Sequence, residues 1–266
     1  MYTSTFLFLS SMAPLSGYVL TYNSEEFLDN ILSKMHLVCD ELFILDSGST
    51  DNTIAIAEKN RVTIVNHPFL NFADQRNFAL SICKYSYVFF MDCDEVPSDE
   101  MIQAIQKLKE ENFGSDKYRF KSLIQVLGKP IQGGIYPACN GDYCERLICR
   151  DTISYSQHFL VHEALTPHKS RVDINASYTH FTFQTKIEFK EKLEKYTNLA
   201  AIHMHEKKKK VNWFKIHVNP IAAWIKWYLM KKSFLDGSIG WTCGKYAYHY
   251  TQLKYKKLKE KYRLNN

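Results

Sequence analysis

Hydrophobic residues in the first half of the chain are concentrated in short segments, separated by amphipathic segments. The apolar-rich segments lie at residues 17–23, 41–45, 61–65 and 88–91 and predict four strands. The run at 88–91 contains no polar residue, which is typical of a strand buried on both faces, and 41–45 is also expected to be buried. The segments between and after them predict four helices. The first begins at Ser24, and the second begins at Ser49 or Thr50 and runs to about Glu58. The third spans Ala73–Ile82, and the fourth runs from Asp99 to about Glu110. Four alternations of strand and helix predict an α/β fold with a mainly parallel sheet flanked by helices.

The pattern changes after Gly114. Residues 118–126 alternate between apolar and polar side chains, which predicts an antiparallel strand, and a second short strand is expected at Glu145–Arg150. From Lys186 the spacing is helical, with a break at Lys207–Lys210. We therefore expect three parts: a leader at residues 1–15 without fixed structure, an α/β domain at 16–185, and a helical extension at 186–266.

Charge is distributed unevenly between these parts. Residues 186–266 carry 19 Lys and Arg against 6 Asp and Glu, whereas residues 1–185 carry 15 against 22. All four tryptophans also lie in the extension, and its most apolar stretch, Ile221–Met230, is too short to span a bilayer and contains Lys226. A basic, aromatic-rich amphipathic segment is typical of contact with an anionic membrane surface. The alternative is that the aromatic residues pack onto the α/β domain and the lysines are only solvated.

Composition narrows the class of protein further. The 266 residues are 45% hydrophobic and 14% aromatic, which is enough for a packed core. The seven cysteines are scattered and form no Cys-x-x-Cys pair, so a disulfide framework and a structural zinc site are not expected. This usage fits a reducing compartment, and we expect a cytoplasmic protein.

Polar residues follow three of the predicted strands. Asn23 follows the first and Asp46 the second, and Asp92, Asp94 and Glu95 follow the apolar run at 88–91. Ligands of parallel sheets bind beyond the carboxyl ends of the strands. Three neighbouring carboxylates repel one another, so a positive partner is expected, such as Mg²⁺ or Mn²⁺ with phosphate oxygens. A solvated acidic turn is the alternative for this motif alone.

Four motifs in this order carry a resemblance to a known family. They are Tyr22-Asn-Ser-Glu-Glu, Asp46-Ser-Gly-Ser-Thr-Asp, Gln75-Arg-Asn-Phe-Ala-Leu and Asp92-Cys-Asp-Glu. Together they resemble glycosyltransferase family 2, whose fold is the Rossmann-like GT-A type. The later blocks Glu145-Arg-Leu, Val161-His-Glu, Lys195-Tyr and Phe234-Leu-Asp-Gly are similar to its lipopolysaccharide-core β-1,4-glucosyltransferase branch, and the resemblance covers roughly residues 15–260.

The resemblance implies a UDP-sugar donor and a divalent metal. The residues expected to bind the nucleotide-sugar are Thr21, Tyr22, Asn23, Asp46, Ser47, Arg76, Asn77, Asp92 and Arg146. The metal would be held by Asp92 and Asp94. For Arg146, an ion pair with Glu145 or Asp151 is the alternative to contact with the diphosphate.

The resemblance also implies an inverting transfer of a hexose, expected to be glucose, to a lipopolysaccharide-core or other lipid-linked acceptor. Such a displacement needs a base that takes the proton of the acceptor hydroxyl. Glu163 is the candidate base and Asp142 the reserve, while His162 could ligate the metal or orient a phosphate. The enzyme would act at the inner face of the cell membrane.

Two other classes remain open at this point. Basic residues with interleaved aromatic side chains are used by single-strand nucleic-acid binders, although the acidic first two thirds make nucleic acid an unexpected partner. A sugar nucleotidyltransferase also places carboxylates around a metal, but it normally carries a Gly-rich, basic phosphate loop that residues 15–26 lack.

Overall fold

The computed structural model describes residues 12–155 and 170–264, and its centre is a mixed β-sheet. The strands are β1 Leu15–Thr21, β2 Glu41–Asp46, β3 Thr63–Asn66, β4 Tyr87–Asp92, β5 Glu95–Pro97, β6 Lys117–Val126, β7 Lys129–Pro130, β8 Gly134–Ile135, β9 Ala138–Cys139, β10 Tyr143–Cys149 and β11 Arg171–Phe183. The helices are α1 Leu28–Met35, α2 Thr53–Lys59, α3 Phe72–Ile82, α4 Asp99–Glu110, α5 Lys186–Glu206, α6 Trp213–Trp224 and α7 Gly237–Leu264. A π-helical turn, Ile225–Met230, and a 3₁₀ turn, Ser233–Asp236, connect α6 to α7.

The first four strands form a parallel half-sheet in the order β3-β2-β1-β4. Successive residues of each strand point to opposite faces, and both faces are covered. In β4, for example, Phe89 and Met91 join the core beneath α1 and α4, while Val88 and Phe90 join the core on the side of α3. Apolar residues dominate β1, β2 and β4 because these strands are buried on both faces, whereas β3 at the edge is partly exposed.

The register of this half-sheet brings the strand ends together. Thr21 lies beside Asp46, and Leu20 lies beside Asp92. The carboxyl ends of β1, β2 and β4 therefore form one rim of the sheet, as the sequence predicts.

The second half of the sheet is mixed. Strand β10 is antiparallel to both β4 and β6, β11 is parallel to β6, and β5 closes the order β4-β10-β6-β11-β5. Only Cys93 and Asp94 separate the end of β4 from the start of β5, so the Cα atoms of Asp92 and Glu95 lie at most about 11 Å apart. The sheet must therefore curl until its far strand returns to β4.

The helical extension packs against the curled half of the sheet. Its α5 and α7 contribute Leu193, Tyr246 and Tyr250 to a third apolar cluster that also contains Ile124 and Phe183. The turn between α6 and α7 is tied to the sheet domain, because the carboxylate of Asp236 accepts hydrogen bonds from the backbone N–H groups of Gln132 and Gly133 at 2.6 and 3.0 Å. The predicted α/β class, with a sheet flanked by helices and a C-terminal helical extension, is confirmed.

Some element boundaries differ from the prediction. The first helix begins at Leu28 rather than Ser24, because Ser24 and Glu25 bind the loop after β2: the Ser24 N–H donates to Thr53 Oγ1 at 2.7 Å, and the Glu25 carboxylate accepts from the Asn52 N–H at 3.1 Å. Glu95–Pro97, expected to be loop, pairs with β11 as an edge strand. Ser98 caps the N-terminus of α4, since its Oγ accepts from the Met101 N–H.

Gly240 provides a test of how the extension is packed. A Cβ at this buried position of α7 would lie 1.6 Å from the Ser233 carbonyl oxygen. Alanine favours a helix over glycine by about 1 kcal/mol, yet we expect Gly240→Ala to lower the free energy of unfolding by about 1–3 kcal/mol because the backbone must move. Urea denaturation measures the change, with exposed Ser238→Ala in the same helix as the control. A Gly240→Ala protein at least as stable as the parent would contradict this packing.

Candidate active site

Asp46 organises the loops at the ends of β1 and β2. Its Oδ1 accepts hydrogen bonds from Thr21 Oγ1 at 2.9 Å and Ser49 Oγ at 2.5 Å, and its Oδ2 accepts from the N–H groups of Gly48 and Ser49 at 2.9 and 2.8 Å. A carboxylate has about four acceptor sites, so hydrogen bonds within the protein occupy all the acceptor sites of the buried Asp46. Ser47 beside it is half-buried, and its hydroxyl makes no hydrogen bond within the described residues.

Asn23 joins the same two loops from the other side. It adopts a left-handed conformation with φ of 49°, its N–H donates to Ser49 Oγ at 2.9 Å, and its Oδ1 accepts from the Thr50 N–H at 2.8 Å. Tyr22, between this residue and β1, is exposed. The predicted nucleotide-binding residues of the first two loops thus lie together at one rim.

Asp92 ends β4 and faces the Arg76 guanidinium. Arg76 comes from α3, is buried, and donates from Nη2 to both carboxylate oxygens of Asp92 at 2.8 and 3.0 Å. Its guanidinium also lies 5.0 Å from the centre of the Phe90 ring, which supports it from the strand below. Asp92 and Arg76 are therefore brought together at the rim, as expected, and bind each other.

Glu95 has a different environment from the one its sequence context predicts. It is buried and forms a bidentate ion pair with Arg146, in which Arg146 Nε donates to Glu95 Oε2 at 2.6 Å and Nη2 donates to Oε1. Burial alone would lower the pKa of Arg146, but the charge of Glu95 raises it well above the usual value. The expected alternatives for Arg146, Glu145 and Asp151, are wrong as salt-bridge partners: Glu145 pairs with Lys117, and Asp151 lies near Arg150.

Asp94 lies between two cations of the later chain. Its Oδ2 is 3.6 Å from Nε2 of His180 on β11 and 3.6 Å from Nζ of Lys192 on α5. Burial alone would raise the pKa of Asp94, but His180 and then Lys192 hold it well below its usual range. Burial opposes the charge of His180 as well, and the attraction of Asp94 outweighs it and raises the pKa of His180.

The residues around Asp94 fit a metal that is completed by its substrate. The described residues contain no group of three or more His, Cys, Asp or Glu side chains that could hold a metal alone. One carboxylate and one imidazole 3.6 Å apart nevertheless suit neighbouring positions on a divalent ion, whose ligand distances of about 2.1 Å place adjacent donors about 3 Å apart. Asp92, the other expected ligand, is directed at Arg76.

The remaining predicted site residues are Asn77, His162 and Glu163. The side-chain amide of Asn77 clamps the backbone of Tyr155, donating to its carbonyl and accepting from its N–H, both at 2.8 Å. Asn77 therefore positions the chain just before residue 156 instead of presenting its amide to the rim. His162 and Glu163 lie outside the described residues.

Two members of the site, His180 and Lys192, were missed by the sequence analysis, and both face Asp94. Glu95 was named there as a rim carboxylate, but it is a buried partner of Arg146. A signal was present for His180, because it is a lone histidine within the strand pattern at 171–183. No local pattern distinguishes Lys192 from its neighbouring lysines, since its role depends on where α5 docks.

Comparison with known proteins agrees with this geometry. Residues 16–116, which contain β1–β5 and α1–α4, match the model of glycosyl transferase family 2. The chain is 24% identical over 238 residues to an uncharacterized glycosyltransferase of Rickettsia conorii, covering 85% of this chain and 83% of that protein. It is 26% identical over 245 residues to the lipopolysaccharide core biosynthesis glycosyltransferase LpsC of Rhizobium meliloti, covering 87% and 84%. Among solved structures, glucosyl-3-phosphoglycerate synthase of Mycobacterium tuberculosis is similar with a TM-score of 0.49 and 15% identity, covering 73% of this chain and 79% of that one.

These matches support an enzyme of the glycosyltransferase class, and the predicted class is confirmed. The family model covers the parallel half-sheet and its acidic rim, whereas Arg146, His180 and Lys192 lie beyond the matched residues. Across the described ranges, no helix combines the length and the apolar character needed to cross a bilayer.

The Arg146–Glu95 pair can be tested by unfolding. Arg146→Met should lower the free energy of unfolding by about 3–5 kcal/mol, because it leaves a buried carboxylate without its counter-charge. The double variant Arg146→Met/Glu95→Leu should recover much of that loss. Urea denaturation compares these proteins with Arg119→Met and Arg119→Met/Asp173→Leu, which break the exposed pair on β6 and β11 and should have much smaller effects. Equal losses for the two arginines would contradict the anchor role.

Proposed function

We propose that this protein is an inverting glycosyltransferase that moves a hexose, expected to be glucose, from a UDP-sugar to a lipid-linked saccharide. The observation that carries the proposal is the register that places Thr21 beside Asp46 and Leu20 beside Asp92, with Asp94 and His180 next to them. This arrangement provides a polar rim for a nucleoside and a charged pocket for a diphosphate, side by side.

The uracil and ribose would be held by the loops after β1 and β2. Because Asp46 is fully used in shaping these loops, the contacts fall to the free hydroxyl of Ser47, to Tyr22 and to the backbone of residues 20–23. Hydroxyl and carbonyl oxygens can accept the N3–H of uracil. Asp46 would then act by fixing the geometry of the site.

The diphosphate would lie against the cations of the rim. Asp94 and His180 would hold a divalent metal, Mg²⁺ or Mn²⁺, which when bound supplies charge stabilisation for the departing UDP. Lys192, already 3.6 Å from Asp94, stands where it can donate to a phosphate oxygen. Arg76 and Arg146 neutralise the negative charges of Asp92 and Glu95, respectively.

The acceptor side depends on the chain after Tyr155. We assign the general base to Glu163, which would take the proton of the acceptor hydroxyl as the oxygen attacks the anomeric carbon from the face opposite UDP. His162 would ligate the metal or orient a phosphate. The Asn77 clamp on Tyr155 supports this assignment, because it fixes to α3 the chain that leads into these residues.

A lipid-linked acceptor of the lipopolysaccharide-core type is favoured by two observations. LpsC, a relative covered over 84% of its length, is named for lipopolysaccharide core biosynthesis, and the helical extension carries the strong positive charge that suits an anionic membrane. The enzyme would then work peripherally at the inner face of the cell membrane.

The assignment of Asp94 and His180 is tested by metal-dependent turnover. Asp94→Asn and His180→Ala should each lower UDP release from a panel of UDP-hexoses by about a hundredfold or more, since charge stabilisation of the leaving group is worth several kcal/mol. Both should also weaken Mn²⁺ binding in the presence of UDP, measured by electron paramagnetic resonance. Exposed Asp29→Asn and His36→Ala serve as matched controls. Unchanged turnover and Mn²⁺ affinity in Asp94→Asn would refute the metal site. Pyrophosphate release from UTP and a hexose 1-phosphate, with no UDP release from UDP-hexoses, would indicate a nucleotidyltransferase.

The assignment of Glu163 is tested separately. Glu163→Gln should lower the turnover number by about 10²- to 10⁴-fold while UDP-sugar affinity, measured by calorimetry, stays unchanged. Asp142→Asn is the comparison, because Asp142 is the reserve base. Full activity in Glu163→Gln together with loss of activity in Asp142→Asn would show that Asp142, and not Glu163, is the general base.

A further inference from the structure

Helix α6 and the π-helical turn that follows it expose a continuous apolar face. The face consists of Phe214, Val218, Ile221, Ile225 and Leu229, which recur at intervals of three or four residues and are all exposed. Phe214 and Ile221 leave 64% and 52% of their surface open. Such spacing puts the five side chains on one side of the helix, which we call the apolar face of α6.

The opposite side of the same helix is already packed. Ile216, Pro220 and Trp227 are buried, and Trp224 contacts Trp241 of α7 edge-to-face at 5.6 Å. The apolar face is therefore additional to the side that holds α6 onto the protein. It continues at the next turn into Phe234 and Leu235, which are also exposed. A contiguous apolar surface of this extent marks a binding site.

Charge indicates what binds there. Lys215, Lys226, Lys231 and Lys232 lie along the same segment, and between Lys207 and Lys259 the only acidic residue is Asp236. The carboxylate of Asp236 is turned towards the backbone of Gln132 and Gly133, so it does not offset the lysines at the surface. A second copy of this chain would bring the same lysines together in a symmetric interface and is disfavoured.

We propose that the apolar face of α6 docks on an anionic lipid bilayer, with its five side chains in the interfacial region and the lysines contacting the headgroups. An amphipathic helix lying in the membrane plane has this combination of an apolar side and flanking basic residues. The function of this docking rests on the proposed function, because membrane contact would bring the enzyme to its lipid-linked acceptor. The docking itself is independent of the reaction.

The surface is firmly connected to the catalytic sheet. Ser233 Oγ accepts from the Gly134 N–H at 3.4 Å and donates to the Gly134 carbonyl at 2.5 Å, and Asp236 holds the preceding two residues. Docking through α6 would thus fix the orientation of the whole enzyme on the membrane rather than tether it through a loose tail.

The test uses the full chain and vesicles of phosphatidylcholine with or without phosphatidylglycerol, with bound protein measured by sedimentation. Ile221→Gln/Ile225→Gln should lower binding to the anionic vesicles by tenfold or more. Lys226→Gln/Lys231→Gln/Lys232→Gln should lower it by roughly a hundredfold, because each lysine near the surface contributes about a factor of five. Binding of the parent protein should weaken in high salt and in vesicles without phosphatidylglycerol.

Matched controls change equally exposed residues elsewhere. Leu37→Gln/Ile187→Gln removes two side chains that are 68% and 71% exposed, and Lys59→Gln/Lys84→Gln/Lys107→Gln removes the same charge from the α/β half. Both should bind like the parent. If the α6 variants bind as tightly as the parent, the proposal is wrong. The proposal is also wrong if the parent protein does not bind vesicles and light scattering shows a dimer that Ile221→Gln/Ile225→Gln dissociates.

The outcome is separable from that of the proposed function. UDP release from UDP-hexoses without vesicles should be unchanged in the α6 variants, because none of these residues belongs to the rim. Vesicle binding that is lost in the α6 variants of a protein with no UDP-sugar turnover would support the docking face and reject the glycosyltransferase proposal.

Discussion

The site depends on compensating three carboxylates that lie within four consecutive residues. Asp92, Asp94 and Glu95 would repel one another if they shared one environment, and each instead has its own cation: Arg76 for Asp92, His180 and Lys192 for Asp94, and Arg146 for Glu95. Arg76 is buried, the Arg146 side chain is only 12% exposed, and both lie against rings: both are near Phe90, and Arg146 also lies 4.8 Å from the Tyr178 ring centre. Leaving one of these charges unpaired in the interior would cost several kcal/mol. The protein thereby keeps three carboxylates close together at the strand end, with Asp94 facing His180 and Lys192.

This compensation also explains why the extension belongs to the catalytic unit. Arg76 comes from α3, Arg146 from β10, His180 from β11 and Lys192 from α5, so the rim is complete only when elements from the whole chain have docked. Lys192 lies beyond residue 185, where the sequence pattern places the end of the α/β domain. The apolar cluster of Ile124, Phe183, Leu193 and Tyr246 holds α5 and α7 to the curled half of the sheet, and it thus keeps Lys192 beside Asp94. We infer that a protein cut at residue 185 would lose part of the charge around Asp94.

The parallel half of the fold could be predicted from sequence because its signals are local. Apolar runs buried on two faces, caps such as Ser98 and the polar residues after Asn23 and Asp46 all follow from short-range chemistry, and the rim follows from the rule that parallel strands end together. The partners of the carboxylates could not be predicted, because they are set by the curl of the sheet. Strand β5 illustrates the reason: Glu95–Pro97 pairs with β11, more than eighty residues later, and this pairing places His180 beside Glu95 and next to Asp94. For the same reason the positive charge expected at the acidic turn was assigned to a metal alone, although much of it comes from side chains.

The central claim is that the ends of β1, β2 and β4 grip one nucleotide-sugar, with a divalent ion between Asp94 and His180. The most direct measurement is anomalous diffraction at the manganese edge from crystals grown with UDP and Mn²⁺. The account predicts one manganese peak bonded to Asp94 Oδ2 and His180 Nε2, with the diphosphate on the same ion and the uracil over Ser47. UDP bound at this rim with no manganese at Asp94, or UDP bound away from the rim, would contradict it.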